Sequence, residues 1–348
     1  MIKKIIFILV LYFGYIKFNK IDVSKIKKKI IGFQINGVGN GHITQAITIY
    51  NILIKYFEIP VVIIYGVKKK NIQKHFNKSK ICYEKMYTTN ESMNNLSLDG
   101  ILWDIIRIKP TKKYEENYNV NIWINFFVTD FFNFRTKGIT IGCQFSSPLL
   151  KFMALTKTTQ LLSDIKVVSI QEKNYYDKYV IPPLISSKLI IRNNIDSKII
   201  LAYSVSGKIF PKTLIILAKK YPNYRFKYFT LEHIYKYPSN VTPYKPSRDF
   251  FKKYQSTCGA ILCTSGNELI LECVYNNIPV ATIPCSKSHF EQNFNFNKYI
   301  YKLKYADVMS TEINLDKLVN KNNVKIQKAL HKIIRGRDKA VLDLVNKK

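Results

Sequence analysis

From about residue 30 onward, apolar runs of strand length alternate with segments of helical periodicity. This alternation is typical of βα units, in which helices cover a sheet of parallel strands. Nine strands are predicted: Ile30–Asn36, Pro60–Gly66, Ile122–Thr129, Ile139–Phe145, Lys166–Ile170, Lys198–Ser204, Tyr224–Phe229, Ala260–Thr264 and Pro279–Pro284. The pattern therefore predicts an α/β protein with two Rossmann-like halves.

Adjacent prolines mark the predicted boundary between the halves, in Ile181-Pro182-Pro183-Leu184. Proline excludes helix and removes a backbone donor, so this segment is expected to run extended. A chain of 348 residues also fits two domains better than one. We predict a hydrophobic and basic segment (1–25), an N-terminal domain (26–182), a C-terminal domain (183–320) and a helical tail (321–348).

The composition gives a formal net charge of +32, which raises the question of a polyanionic partner. Lys, Ile, Asn, Tyr and Phe are over-used along the whole chain, as in drift of an AT-rich genome. A recognition patch for nucleic acid would be clustered, whereas this charge is spread. No specific nucleic-acid binding is predicted.

Cysteine and histidine spacing predicts neither disulfides nor metal ligands. The six cysteines form no CxxC pair, which fits buried free thiols in a reducing compartment. The five histidines lack the paired spacing of a zinc site. The sequence therefore predicts no metal and no cofactor.

The apolar run Ile5 to Ile16 follows Lys3 and Lys4. It is too short for a standard membrane span, and a basic stretch follows it instead of a cleavage site. Three interpretations stay open: an interfacial or signal-anchor segment, a cleaved signal, or an element without membrane role. The expected location is the cytoplasm or the cytoplasmic face of a membrane, with peripheral membrane contact as an option.

A glycine-rich turn follows the first predicted strand. It contains Gly37, Gly39, Asn40, Gly41 and His42 and runs into a helical segment. Such a turn brings backbone N–H groups and a helix N-terminus to an incoming anionic or polyhydroxyl ligand. An imidazole there, with a pKa near neutrality, is a candidate general base. Ordinary turn geometry is the alternative.

A second constellation follows the strand Ala260–Thr264. Ser265 and Gly266 precede a helix, and the N–H groups of its first residues form a predicted diphosphate seat. Glu272, two turns further on, is expected to accept hydrogen bonds from a ribose diol. The predicted donor-binding residues of this constellation are Thr264, Ser265, Gly266, Asn267, Glu268, Leu269, Glu272, His289, Phe290, Glu291 and Gln292.

Together these segments resemble the GT-B glycosyltransferases, most closely the MurG-type enzymes and related family-1 transferases. Gly37 to Ala46 matches their glycine loop, and Ser265 to Asn295 matches their donor motif. Weaker matches are Thr129-Asp130-Phe131, Gln144 and Tyr203 to Gly207. Thr264 departs from the pattern, because family-1 enzymes have histidine there, and Phe296 replaces an alanine.

The resemblance implies two Rossmann-like, doubly wound domains facing across a cleft, with the acceptor site in the first domain and the donor site in the second. It implies metal-independent, inverting transfer of a hexosyl or N-acetylhexosaminyl group from a nucleotide sugar, most plausibly UDP-linked, which is a co-substrate. His42 is the first candidate for the base and Asp130 the second. Gln144 joins the glycine loop on the acceptor side, and Ser206-Gly207 resembles a second phosphate loop.

The acceptor stays open: a lipid-linked molecule, a glycan or a small molecule. Two rival functions also stay open. One is a UDP-sugar 2-epimerase of the same fold, and the other is a non-catalytic, basic protein that binds a polyanion.

Overall fold

A computed structural model gives the fold. It describes residues 29–37, 40–66, 72–84, 111–126, 137–142, 159–163, 180–185, 189–204, 208–230, 235–264, 266–283, 307–308, 313–321 and 324–346. These residues form two parallel sheets flanked by helices.

The first sheet has seven strands in the order β3-β2-β1-β4-β5-β6-β7, all parallel. Its strands are β1 (Ile30–Asn36), β2 (Glu58–Tyr65), β3 (Lys80–Glu84), β4 (Ile122–Phe126), β5 (Lys137–Gly142), β6 (Thr159–Ser163) and β7 (Val180–Ile181). Helix α1 (Asn40–Leu53) follows β1, and residues 111–118 form helix α2. Helix α1 packs on the sheet through Ile43, Ala46, Ile47 and Tyr50, whose spacing puts them on one helix face.

The second sheet has six parallel strands in the order β10-β9-β8-β11-β12-β13. Its strands are β8 (Asp196–Tyr203), β9 (Arg225–Phe229), β10 (Val241–Tyr244), β11 (Cys258–Thr264), β12 (Val280–Ile283) and β13 (Asp307–Val308). Its helices are α3 (Ile209–Lys220), α4 (Arg248–Gln255), α5 (Asn267–Tyr275) and α6 (Leu315–Val319). Strand β11 is buried along its whole length, as its apolar sequence predicts for a central parallel strand.

Two helices end the described chain, α7 (Val324–Arg335) and α8 (Arg337–Asn346). Leu330 and Ile334 of α7 pack into the core of the second sheet. Val341 and Val345 of α8 pack into the core of the first sheet. The last helix therefore crosses back to the first half of the chain. The predicted helical tail consists of two helices, and each of them packs into a different core.

The proline segment lies where one core gives way to the other. Strand β7 ends at Ile181, Leu184 belongs to the core of the first sheet, and Ile185 belongs to the core of the second. We propose the domain boundary here, close to the predicted break between residues 182 and 183.

The predicted fold class is confirmed, while several predicted strands differ in extent. Pro60–Gly66 is Glu58–Tyr65, Lys198–Ser204 is Asp196–Tyr203, and Ile139–Phe145 overlaps Lys137–Gly142. The predicted strand Lys166–Ile170 lies outside the described residues. Five strands (β3, β6, β7, β10 and β13) were not predicted from the sequence, because they are two to five residues long and mostly lack a continuous apolar run.

The four described cysteines, Cys82, Cys258, Cys263 and Cys273, are free and buried, as predicted. Burial raises the pKa of the Cys258 and Cys263 thiols to about 12. These thiols are therefore protonated at neutral pH and pack as small apolar groups.

Candidate active site

Both glycine turns lie where the strand order of a sheet reverses. In the first sheet the order turns at β1 and β4, and in the second at β8 and β11. Ligand crevices of open parallel sheets lie outside the carboxyl ends of the strands at such points. Strand β1 leads through Gly37 to α1, and β11 leads through Gly266 to α5. Each turn therefore stands at the crevice of its own sheet.

The N-terminal turns of α1 and α5 meet across the two halves. The Nε2 amide of Gln45 donates a hydrogen bond to Oε1 of Glu268. A Cβ atom at Gly41 would lie 2.9 Å from Oε2 of Glu268, so a side chain at this position would displace the Glu268 carboxylate. Burial raises the pKa of Glu268, partly offset by its own N–H group and by Gln45. Gln45 lies within the predicted glycine-loop match, Gly37 to Ala46, but the sequence did not mark it as a site residue by itself.

The His42 ring stands beside this contact, in the first turn of α1. Its Nδ1 atom is fully buried. Burial lowers the pKa of His42 to about 4, and the Gln45 side chain counteracts only part of this effect. From the sequence, the pKa of His42 is predicted to lie near neutrality. In the structure this pKa is lower, because burial desolvates the imidazolium. At neutral pH the ring is therefore uncharged and can accept a proton, while the same desolvation makes it a weaker base than a solvated imidazole.

Helix α5 begins at a glycine that no described atom crowds. Gly266 is the N-cap residue, with φ −76° and ψ 135°, and as a glycine it has no side chain to cap the helix. A Cβ atom built on Gly266 would lie more than 4 Å from its described surroundings. Neither backbone conformation nor packing thus requires a glycine at this position. Helix starts of this kind favour anions through their N–H groups and dipole.

Glu272 points to α4, where its carboxylate accepts a hydrogen bond and forms an ion pair with the Lys252 ammonium. From the sequence, Glu272 is predicted to face a ribose, and Lys252 is not predicted as a site residue. Nothing in the sequence separates Lys252 from the other 54 basic residues, since its role depends on how α4 packs beside α5.

An aromatic cluster lies at the carboxyl ends of β8, β9 and β10. It was not predicted from the sequence. The rings of Phe229 and Tyr244 stack with their centroids 5.2 Å apart, and Phe250 of α4 lies 5.3 Å from Tyr244. Tyr203, Phe251 and Tyr254 complete the cluster. Phe250 keeps 36% of its surface exposed, so one ring is accessible for stacking.

A second polar contact joins the two halves beside α4. The Lys74 ammonium lies 3.1 Å from the Asp249 carboxylate, and both side chains are largely exposed. Burial lowers the pKa of His75, and Arg248 and Lys74 lower it further, while Asp249 raises it. The contact is solvent-screened, so its contribution to stability is small.

The structure leaves many predicted site residues outside its description: Gly39, Asp130, Gln144, Ser206, Gly207, Ser265, His289, Phe290, Glu291 and Gln292, together with the side chains of Asn40 and Asn267. Their roles stay predictions. Of the remaining residues, Thr264 is buried at the end of β11, and Leu269 packs against the core of the second sheet. Leu269 therefore offers a ligand its N–H group and not its side chain.

Within the described ranges, no three His, Cys, Asp or Glu side chains form a group suited to holding a metal ion. Within the same ranges, no helix has both the length and the apolar character to cross a membrane.

Two doubly wound parallel sheets with facing glycine turns are the arrangement of the GT-B fold. Residues 160–324 match the family model described as Glycosyl transferase family 1. The chain therefore has the GT-B fold and contains a glycosyltransferase family domain. No curated protein sequence matches it significantly.

Solved structures show the same fold at low sequence identity. The glycotransferase of kitacinnamycin superposes with a TM-score of 0.62 at 8% identity, covering 92% of this chain and 99% of that one. UGT2 of Phytolacca americana, complexed with UDP-2fluoro-glucose and pterostilbene, gives 0.59 at 12%, covering 93% and 100%. MurG of Acinetobacter baumannii gives 0.52 at 13%, covering 92% and 100%. The likeness thus extends over both halves of the chain.

Proposed function

We propose that this protein transfers a hexosyl group, with an N-acetylhexosaminyl group as a further option, from a UDP-sugar to an acceptor hydroxyl by inverting displacement. The observation that carries the proposal is the start of α5. Gly266 leaves space in front of a helix N-terminus at the switch point of the second sheet, facing α1 across the crevice. A diphosphate fits the charge and size of such a seat.

The nucleoside end of the donor would lie along α4 and α5. Glu272 supplies a carboxylate for ribose hydroxyls, and the aromatic cluster offers an exposed face at Phe250 for stacking a base. The complex of the Phytolacca americana enzyme with UDP-2fluoro-glucose supports uracil as the base. Glu291 and Gln292 are proposed to bind sugar hydroxyls.

In the proposed reaction the acceptor oxygen attacks the anomeric carbon in line, while the bond from that carbon to the diphosphate oxygen breaks. The nucleoside diphosphate leaves with the bonding electron pair, and the start of α5 stabilises its charge. The acceptor proton passes to His42, whose ring is neutral at pH 7 because burial lowers its pKa. Asp130 is the second candidate for the base.

The acceptor side is proposed to lie around the glycine loop after β1. Its chemistry is an alcohol on a lipid-linked molecule, a glycan or a small molecule. Peripheral membrane contact through residues 1–25 stays a prediction.

Gly266→Ala tests the donor seat without disturbing the fold. Its negative φ suits alanine, and the added methyl group meets no described neighbour within 4 Å. Alanine restricts the unfolded chain but is a poorer N-cap residue than glycine, so the unfolding free energy should change by less than about 1 kcal/mol in either direction. The methyl group would intrude on a bound diphosphate, so UDP affinity should fall at least about tenfold, which calorimetry measures.

Gly336→Ala is the matched control, since Gly336 is exposed between α7 and α8. It should bind UDP like the wild type. If Gly266→Ala keeps full UDP affinity, no diphosphate approaches the start of α5, and the proposed donor site is wrong.

A further inference from the structure

The ion pair between Lys252 of α4 and Glu272 of α5 is partly shielded from water. The side chains keep only 31% and 16% of their surface exposed. At such burial a carboxylate without a partner tends to take up a proton, whereas a neighbouring ammonium keeps it ionised. The pair thus sets both the charge and the orientation of Glu272.

The Lys252 side chain stays protonated at neutral pH despite its burial and the charged groups around it. Burial and the charge of Arg248 on the same helix lower the pKa of Lys252, the Cys273 thiol of α5 raises it, and the result is about 8. Because the value stays above neutrality, the lysine is mostly charged at pH 7.

We propose that Lys252 is a positioning residue that holds the Glu272 carboxylate ionised and oriented, so that Glu272 accepts hydrogen bonds from both hydroxyls of a ribose and selects ribonucleotides over 2′-deoxyribonucleotides. This inference rests on the proposed function. The ammonium engages Oε1, and a carboxylate has about four lone-pair positions, so Oε2 and part of Oε1 stay available to a diol.

Lys252 acts through Glu272 and not on the diphosphate. Glu272 lies six residues beyond Gly266, which corresponds to about 9 Å along the axis of α5. A lysine engaged with Glu272 is therefore remote from the helix start, where the phosphates would bind.

Calorimetric titration with UDP and with 2′-deoxy-UDP tests the inference. The wild type should bind UDP at least about tenfold more tightly, since a hydrogen bond to a charged group is lost with the 2′-hydroxyl. In Lys252→Met this ratio should fall below about threefold, because Glu272 becomes protonated or turns away. Lys252→Arg keeps the charge and should retain most of the preference. Lys253→Met, at an exposed neighbouring position, should match the wild type.

A double-mutant cycle separates positioning from direct contact. Glu272→Gln should itself abolish most of the preference, and adding Lys252→Met should then change it by less than about twofold. An unchanged ratio in Lys252→Met, or an equal loss in both backgrounds, overturns the inference while leaving the donor site intact. If the folded wild type binds neither nucleotide, the proposed function itself fails.

Discussion

Desolvation of the His42 ring links the stability of the protein to pH. A histidine free in solution titrates near 6.5, whereas burial lowers the pKa of His42 to about 4. Between these values the unfolded chain binds a proton that the folded chain does not. The contribution of neutral His42 is thus fully present above pH 6.5 and is lost as the pH falls toward 4. Glu268, with its raised pKa, has the opposite dependence.

His42→Gln should remove this dependence. From about pH 7 to about pH 5 the wild type should lose about 2 kcal/mol more unfolding free energy than the variant, at about 1.4 kcal/mol per pH unit. Urea unfolding at the two pH values measures the difference, and Glu268 contributes to both proteins. At neutral pH the variant should bind UDP normally yet turn over slowly. Equal pH dependence would show that His42 is solvated in solution, and retained turnover would move the base to Asp130.

At the scale of elements, the contact between α1 and α5 is made by one amide and one carboxylate. Gln45→Ala leaves the buried Glu268 carboxylate without that donor, so the unfolding free energy should fall by about 1.5 to 3 kcal/mol. Thr48→Ala is the control on the same helix, since its hydroxyl bonds the Thr44 carbonyl 3.0 Å away within α1. Equal stability of both variants in urea would mean that the two helices do not meet in solution.

The contact between Gln45 and Glu268 shows which features can be predicted from the sequence and which cannot. The fully apolar strand β11 and the start of β1 could be predicted almost to the residue, because buried parallel strands require continuous apolar runs. Gly266 and Glu272 could be singled out by their spacing on one helix. Gln45 and Glu268 are 223 residues apart, and their hydrogen bond depends on how two domains pack. Local pattern carries no such information, and the same holds for Lys252.

At the scale of the whole molecule, the chain passes between the two sheets at residues 182–185 and again between α7 and α8. Arg337 links these two passages: the residue is 4% exposed, and its guanidinium donates a 2.6 Å hydrogen bond to the Ile185 carbonyl. Arg337→Ala leaves that buried carbonyl without this donor, so the unfolding free energy in urea should fall by about 2 kcal/mol. Arg335→Ala, at an exposed position two residues earlier, should change it by less than about 0.5 kcal/mol. Because the proposed donor site lies in one domain while the proposed turnover needs both, Arg337→Ala should lower turnover more than UDP affinity. Equal losses in both variants would contradict this role of Arg337 in joining the domains.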